Sequence, residues 1–420
     1  MLRHRSRLAA VTAATAVLAA SFTALAGAGA TAAEKGPLTS ARVTPPLRVA
    51  TYNASLNRSA KGELVKNLST PDDPQAAAVA EVIQRVRPDI LLINEFDYDA
   101  EHAALQLFQR NYLAVGHHGS QPIIYPYRYT APSNTGVPSG YDLNNDGSVG
   151  GPDDAYGFGL FRGQYGMAVY SRLPIEESAV RTFRQFLWKD MPYALLPDDP
   201  STPQPADWYS GEELRHVRLS SKSHWDVPIR FGGERLHFLV SHPTPPVFDG
   251  AEDRNGRRNH DEVRFWANYV SPGKGDYVYD DRGGRGGLQR GEAFVVAGDL
   301  NSDPIDGDSV PGTVQQLLDN PLVNTAVTPT SRGAVEQARR QGGANDYQRS
   351  DPRYDTADFA DVPGPGNLRT DYVLPSRQLR IDDAGVFWPS SENPLFRLVG
   401  TYPFPTSDHR LVWIDVTARD

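Results

Sequence analysis

The chain has 420 residues, 42 Lys and Arg against 51 Asp and Glu, a formal charge of −9, and no cysteine. The missing cysteines exclude a disulfide framework, a thiolate metal site and a Cys nucleophile. The acidic balance removes any general pull toward nucleic acid or anionic membranes, so a polyanion must be held by a local basic patch or by metal ions.

Residues 1–33 read as a secretory signal. Arg3, Arg5 and Arg7 begin it, Leu8 to Ala30 is an Ala-rich apolar run, and Ala30-Thr31-Ala32 is a small-residue cleavage pattern. An uncleaved anchor is the alternative, disfavoured by the Ala, Gly, Ser and Thr content. Cleavage near Ala32 removes three Arg and no acid, which takes −9 to about −12. A secreted protein is therefore expected. Residues 34–46 are polar and Pro-containing, an extended tail. No later apolar segment is long enough to span a membrane. The remaining length would allow two domains, yet no Pro/Gly/Ser linker divides it and no repeat is present. One domain is expected over 47–418, with long loop insertions at about 117–164, 187–215 and 243–291.

Leu47 to Asn53 alternates and reads as a strand ending at Asn53. From Pro74 to Val86, the residues Val79, Val82, Ile83 and Val86 fall at i, i+3, i+4 and i+7, an amphipathic helix. Asp89 to Glu95 is a continuous apolar strand that terminates in an acid, and Glu101 to Tyr112 reads as helix. The pattern then dissolves into Gly, Pro, Tyr and Asn until the strand Gly166–Ser171. Arg235 to His242 is a strand closing on His242, stopped by Pro243 and Pro245. Asp261 to Val270 is a helix that Asn259 would cap. Ala293 to Asp299 is a short buried strand ending in Gly298-Asp299-Leu300-Asn301. Asp299 and Asn301, two apart, share one side of an extended chain, at the strand end where α/β proteins keep their ligands. Val314 to Leu318 is a short helix, 340–367 is loop, and Thr370 to Leu374 is a strand. Ser407-Asp408-His409 enters the last strand, Leu411 to Val416.

Asn53, Glu95, His242, Asp299, Asn301, Asp371, Asp408 and His409 thus lie in or beside strands. Singly, each has a plainer explanation as a turn, a cap or a structural histidine. Together they supply hard oxygen ligands and two imidazoles, which suits hydrolysis of a phosphate ester. Oxygen ligands without thiolates select Mg²⁺, Mn²⁺ or Ca²⁺ over zinc. Such a cation neutralises phosphate charge, and a His oriented by a carboxylate can take a proton from water near neutral pH.

With Ala50-Thr51-Tyr52-Asn53, Leu91-Leu92-Ile93-Asn94-Glu95, Ser241-His242, Gly298-Asp299-Leu300-Asn301, Thr370-Asp371-Tyr372-Val373-Leu374 and Ser407-Asp408-His409 in this order, the chain resembles the endonuclease/exonuclease/phosphatase superfamily, the deoxyribonuclease I-like fold. The resemblance implies an α+β class, a four-layer α/β/β/α sandwich of two packed mixed sheets with the site at one rim. It implies Glu95 as the main Mg²⁺ ligand, with Asn53 beside it and Asp408 contributing, and Mn²⁺ or Ca²⁺ as alternative ions. By the same resemblance Asp371 and His409 activate water, Asp299 and Asn301 position nucleophile and phosphate, and His242 serves a phosphate oxygen or the leaving group. One departure stands out: many nuclease-type members place a basic residue two after the metal-binding Glu, and here that position is Asp97. This weakens a tightly duplex-bound nuclease.

The resulting expectation is a secreted metal-dependent phosphodiesterase or nuclease, monomeric, with no stable protein partner. Its substrate would be a nucleic acid or a small or lipid phosphoester. The alternatives are a phosphomonoesterase acting on sugar or inositol phosphates (phytase-like), a lipid head-group phosphodiesterase, and a non-catalytic binding protein on the same scaffold.

Three further signals carry expectations. Asp142, Asn144 and Asp146, with Gly147 at position 6 and Asp153 at 12, match the start of a calcium loop. A structural Ca²⁺ is expected there, and a solvated Asx/Gly turn is the alternative. The Arg-rich stretch Arg254 to Glu262 would bind phosphate at the rim or form solvated surface. Trp188, Trp208 and Trp225 would stack on a base or ring, with core roles the safer assignment. His117, His118 and His224 read as surface residues.

Overall fold

The computed structural model describes residues 46–419. The expected signal, 1–33, and residues 34–45 of the tail lie outside the described residues. Two sheets organise the rest. The first contains β1 (Leu47–Asn53), β2 (Ile90–Asn94), β3 (Tyr127–Tyr129), β4 (Met167–Ser171), β10 (Leu379–Val386) and β11 (Val412–Ala418), in the order β10-β11-β1-β2-β4-β3. The second is β5 (Arg181–Thr182), β6 (His224–Phe231), β7 (Glu234–Ser241), β8 (Ala293–Asp299) and β9 (Asp371–Pro375), in chain order. Both are mixed: β1–β2 and β7–β8 are parallel, and the other pairs are antiparallel.

The two-residue period of the strands explains the layering. In the first sheet, Val49, Ile90, Leu92 and Val169 point inward and pack on Trp225, Val227, Phe238, Val240, Val295 and Ala297 of the second. Their neighbours Ala50, Tyr52, Leu91, Ile93 and Tyr170 point outward, onto helices α1 (Glu63–Leu68), α2 (Pro74–Val86) and α3 (Ala103–Phe108). On the far side, Leu239, Phe294, Val296, Tyr372 and Leu374 pack on α4 (Arg254–Tyr269) and α5 (Gln315–Leu318) through Val263, Phe265, Trp266 and Leu317. The result is the expected four-layer α/β/β/α sandwich. The helix α2 starts where its sequence says, with Asp73 accepting the Ala76 amide at 2.8 Å and Pro74 in the first turn. No helix among the described residues is long and apolar enough to cross a membrane.

The structure adds elements that the periodicity did not show. In β6, Pro228 and alternating charges disguise a central strand; Pro228 lies beyond the two residues of the neighbouring β5, where its carbonyl accepts the Glu176 amide at 2.9 Å and it has no N–H to return. A register shift between Ile381 and Asp383 broke the pattern of β10. A further helix, α6 (Arg332–Gln341), is capped by Ser331. The helix expected within the 243–291 insertion at Asp261–Val270 is longer, because α4 begins at Arg254, and it supplies most of the fourth layer. Asn259 is therefore inside that helix rather than its cap; fully buried, it donates to the carbonyls of Thr244 (2.7 Å) and Leu300 (2.9 Å). His224 is also buried, between Ser220 Oγ at 2.6 Å and Glu262 O at 2.9 Å, not on the surface. Trp188 and Trp225 are core residues, and Trp208 donates to Leu143 O at 3.1 Å.

Candidate active site

The site forms where strands of both sheets end side by side. In the first sheet Asn53 is opposite Asn94; in the second Asp299 is opposite Asp371. Asn94 stitches the two together. Its Oδ1 accepts the Asp299 amide at 3.1 Å, and its Nδ2 donates to Ser241 O at 3.4 Å. Gly298 permits the close approach of β7 and β8: a Cβ there would sit 2.1 Å from Ser241 O, at φ 154°. Immediately after the strands, Glu95 (φ 57°) and Asn301 (φ 50°) adopt left-handed backbone. For Glu95 this costs about 1–2 kcal/mol, a strain that clusters at functional sites.

Asp299 is the hub. Its Oδ2 accepts Asn53 Nδ2 at 3.1 Å and lies 3.4 Å from His242 Nε2 and 3.5 Å from His409 Nε2; its Oδ1 accepts the Asn301 amide at 2.9 Å. Burial pushes its carboxyl up to about 7, against the pull of His409. The other ring nitrogen of His409, Nδ1, faces Asp371 Oδ2 at 2.9 Å, and Thr356 Oγ1 donates to that same oxygen at 2.8 Å. Burial opposes a charge on His409, but Asp371 and Asp299 outweigh it and hold the imidazole well above its ordinary range. The other histidine behaves oppositely. Burial, Lys222 and His409 keep His242 well below its ordinary range, hence neutral.

On the facing wall, Glu95 accepts Asn53 Nδ2 at 3.2 Å and Asn57 Nδ2 at 2.8 Å. Burial raises its pKa, and Asp408 adds repulsion. Asn53 is itself buried behind this pair; its amide group bridges Glu95 to Asp299 while Oδ1 accepts the Ser55 amide at 3.3 Å. It thus positions the two carboxylates instead of facing the cleft. Asn301 is pinned through Nδ2 to Pro243 O at 3.1 Å. All eight expected residues converge.

The sequence reading missed Lys222. It is buried, its Nζ makes a single long hydrogen bond to Pro243 O at 3.5 Å, and it faces Glu95 and Asp299; burial lowers its pKa while Glu262, Glu95 and Asp299 act against that. Recognising β6 would have exposed it, since His224 is opposite Ser241 and brings Lys222 beside His242. Asp97, at the position where a basic residue was missing, is structural. It accepts the amides of Arg58 (2.8 Å) and Tyr165 (3.1 Å), and burial raises it to about 7.

These groups open into a cleft of about 1450 Å³, whose walls include Phe158, Val247, Phe248, Tyr347 and Pro363. Phe248 and Tyr347 are 85% and 87% exposed, so the rim is apolar as well as acidic. Arg258 also lines it, but its guanidinium donates to the carbonyls of Leu219, Tyr156 and Arg218, which makes it a brace for the loops. The 142–153 loop lies at one edge. Asp142 accepts the amides of Asp146 and Gly147, Asn144 Oδ1 accepts that of Asp146, and Asp146 that of Ser148. Asp153 faces the cleft, while Asp154 closes the loop onto Leu143 and Gly150. These bonds tie Asp142, Asn144 and Asp146 into an Asx/Gly turn, and Asp142, Asp146 and Asp153 do not form a group of three acids with converging ligand atoms. Among the described residues, one group of three acidic or imidazole side chains has its ligand atoms within 4.8 Å of one another, namely Asp299, Asp371 and His409.

The model of the Endonuclease/Exonuclease/phosphatase family matches residues 50–409. No curated protein matches the chain. Among solved structures, it is similar to an endonuclease/exonuclease/phosphatase from Beutenbergia cavernae (16% identity, 89% of this chain and 72% of that one, TM-score 0.44). It is also similar to sphingomyelinase C from Streptomyces griseocarneus (15%, 89% and 99%, TM-score 0.44). A third is a beta toxin mutant from Staphylococcus aureus with bound magnesium ions (13%, 89% and 100%, TM-score 0.42). The chain belongs to the endonuclease/exonuclease/phosphatase family of phosphoester hydrolases.

Proposed function

We propose that the protein is an exported phosphodiesterase of the nuclease-like kind, dependent on a divalent cation, in which a buried Asp–His–Asp relay activates water. The observation that carries this is the chain Asp371–His409–Asp299, with spacings of 2.9 and 3.5 Å, facing Glu95 and Asp408 across one cleft.

The residues fit a hard cation, and the Glu95 side is where it belongs. Glu95 and Asp408 crowd each other, and the side-chain partners of Glu95 are two neutral amides. In the Asp299–Asp371–His409 group the imidazole between two carboxylates already offsets part of the negative charge. Mg²⁺ is the first choice, with Mn²⁺ and Ca²⁺ as alternatives. Held by Glu95 and Asp408, the ion would neutralise the phosphate and its developing charge.

The chain's own groups do the rest. Asp299 and Asn301 orient the attacking water and the phosphate. The water's proton passes to the Asp299–His409 pair, which titrates as a unit, while Asp371 fixes Nδ1 of His409 so that Nε2 faces the cleft. Neutral His242 offers a hydrogen bond from Nε2, and Lys222 a buried positive charge. A cleft of about 1450 Å³ has room for substituents on both ester oxygens of a diester. The exposed Phe248 and Tyr347 at its rim favour a diester with an apolar group, such as a lipid head-group ester, as the second reading.

The test is turnover by the mature protein, with Mg²⁺, Mn²⁺ or Ca²⁺, of bis-p-nitrophenyl phosphate, p-nitrophenyl phosphate, plasmid DNA, RNA and sphingomyelin. Diester hydrolysis abolished by EDTA is expected. Turnover of the monoester alone would replace the diesterase with a phosphatase, and no turnover on any substrate would leave a binding protein.

A further inference from the structure

A second hollow, of about 300 Å³, lies behind the loop that follows Asn301; its walls include Asp303, Ser350, Asp351, Tyr354 and Asp355. Asp355 is fully buried, and neither of its carboxylate oxygens has a hydrogen-bond partner in the protein. The hydroxyl of Ser350, on the same wall, is also buried and makes no well-formed hydrogen bond, with the Asp306 carboxylate beside it. A lone buried carboxylate is among the costliest groups a fold can carry. Here burial pushes Asp355 up to about 8, and Asp303, Asp306 and Asp351 add repulsion.

The neighbouring acids are already fixed in place. Asp303 accepts the amides of Ile305 (2.7 Å), Asp306 (2.8 Å) and Arg369 (2.9 Å). Asp306 accepts those of Arg349 (3.1 Å) and Ser350 (3.0 Å), which holds the 303–306 and 349–355 loops face to face. The two arginines on the wall do not neutralise Asp355. The Arg349 guanidinium bonds Ile305 O at 2.5 Å and stays 3.9 Å from Asp306, and Arg369 lies over the Tyr372 ring at 4.6 Å.

We propose that this hollow is a structural cation site, with Asp355 as its principal ligand and Ca²⁺ as the ion it suits. Three acids do not converge closely here, so the shell combines Asp355 with the Ser350 hydroxyl, one neighbouring carboxylate and backbone carbonyls. Ca²⁺ accepts such irregular all-oxygen shells of six to eight ligands, whereas Mg²⁺ demands a near-ideal octahedron. The ion would clamp the two loops together. It would also steady the relay, because Thr356, the next residue, donates to Asp371 Oδ2 at 2.8 Å and accepts the amides of Thr370 and Asp371, each at 3.0 Å. The cation site itself does not depend on the hydrolytic reading.

Thermal unfolding of the whole chain, stripped with EDTA and titrated with CaCl2 or MgCl2, tests it. At Ca²⁺ a hundredfold above Kd, Tm rises by roughly 5 °C, and MgCl2 gives a smaller rise. Glu95→Ala, which empties the catalytic position, and Asp142→Ala/Asp146→Ala, which disables the Asx loop, keep the Ca²⁺ rise. Asp355→Asn, which deletes a buried charge, folds without the ion and loses the rise. No rise in the wild type, or an equal rise in Asp355→Asn, overturns the site. Calorimetry on the Glu95→Ala/Asp142→Ala/Asp146→Ala protein keeps the proposal falsifiable if Asp355→Asn fails to fold: one Ca²⁺ per chain supports it, and none overturns it.

Discussion

Lys222 sits, buried, between the carboxylates of Glu95 and Asp299 with only one long hydrogen bond to hold it. On the proposed function its place is beside the phosphate, where added negative charge would develop. Lys222→Met is expected to lower kcat for a diester about ten- to a hundredfold, since one such contact contributes about 1–3 kcal/mol to the transition state. The Tm should fall modestly, because Glu262, Glu95 and Asp299 lose a buried countercharge. Glu262 meanwhile keeps its bonds to the amides of Ser221 and Thr244. A large fall in Tm with unchanged kcat would make Lys222 structural. The eight residues read from the sequence were legible because sheet ends fix side-chain direction and their residue types suit one chemistry. Lys222, in a Ser-rich stretch before a strand disguised by Pro228, offered no such pattern. Asp97 was legible as a departure but not as the loop tie it is, since its partners are backbone amides distant in sequence.

At the level of elements, the site depends on how closely β7 and β8 approach. Gly298→Ala would put a methyl 2.1 Å from Ser241 O and force the pair apart, just where Asp299 and His242 leave their strands. The expected cost is about 1–3 kcal/mol of stability, measured by urea denaturation, together with a loss of diester turnover larger than the unfolded fraction explains. A variant with wild-type rate would show that this register does not set the geometry. The strands carrying Asn53, Glu95, Asp299 and Asp371 were readable as short apolar runs with polar ends. The N-terminal half of α4 was not, because Arg254, Arg257 and Arg258 look like solvated surface. In the structure Arg257 and Arg258 bridge to loop carbonyls, Arg254 pairs with Glu252, and Asn259 turns into the core. Likewise β10 is mostly polar and bulged, so neither period marked it.

Across the whole molecule, the two sheets act as jaws. One contributes Glu95, backed by Asn53; the other contributes Asp299 and Asp371; Asn94 and the Asn53 amide hold them at fixed spacing. The sandwich itself was readable from the order of the motifs, whereas the cleft walls were not, because they come from irregular insertions that carry no period. The central claim is that the Glu95 jaw holds the cation while the Asp299–His409–Asp371 jaw takes the proton. The most direct test is Mg²⁺-dependent hydrolysis of bis-p-nitrophenyl phosphate by folded Glu95→Ala and His409→Ala proteins. Both should lose at least about a hundredfold in kcat, and only Glu95→Ala should also need far more Mg²⁺ for half-maximal rate. Activity that survives both substitutions would contradict the assignment.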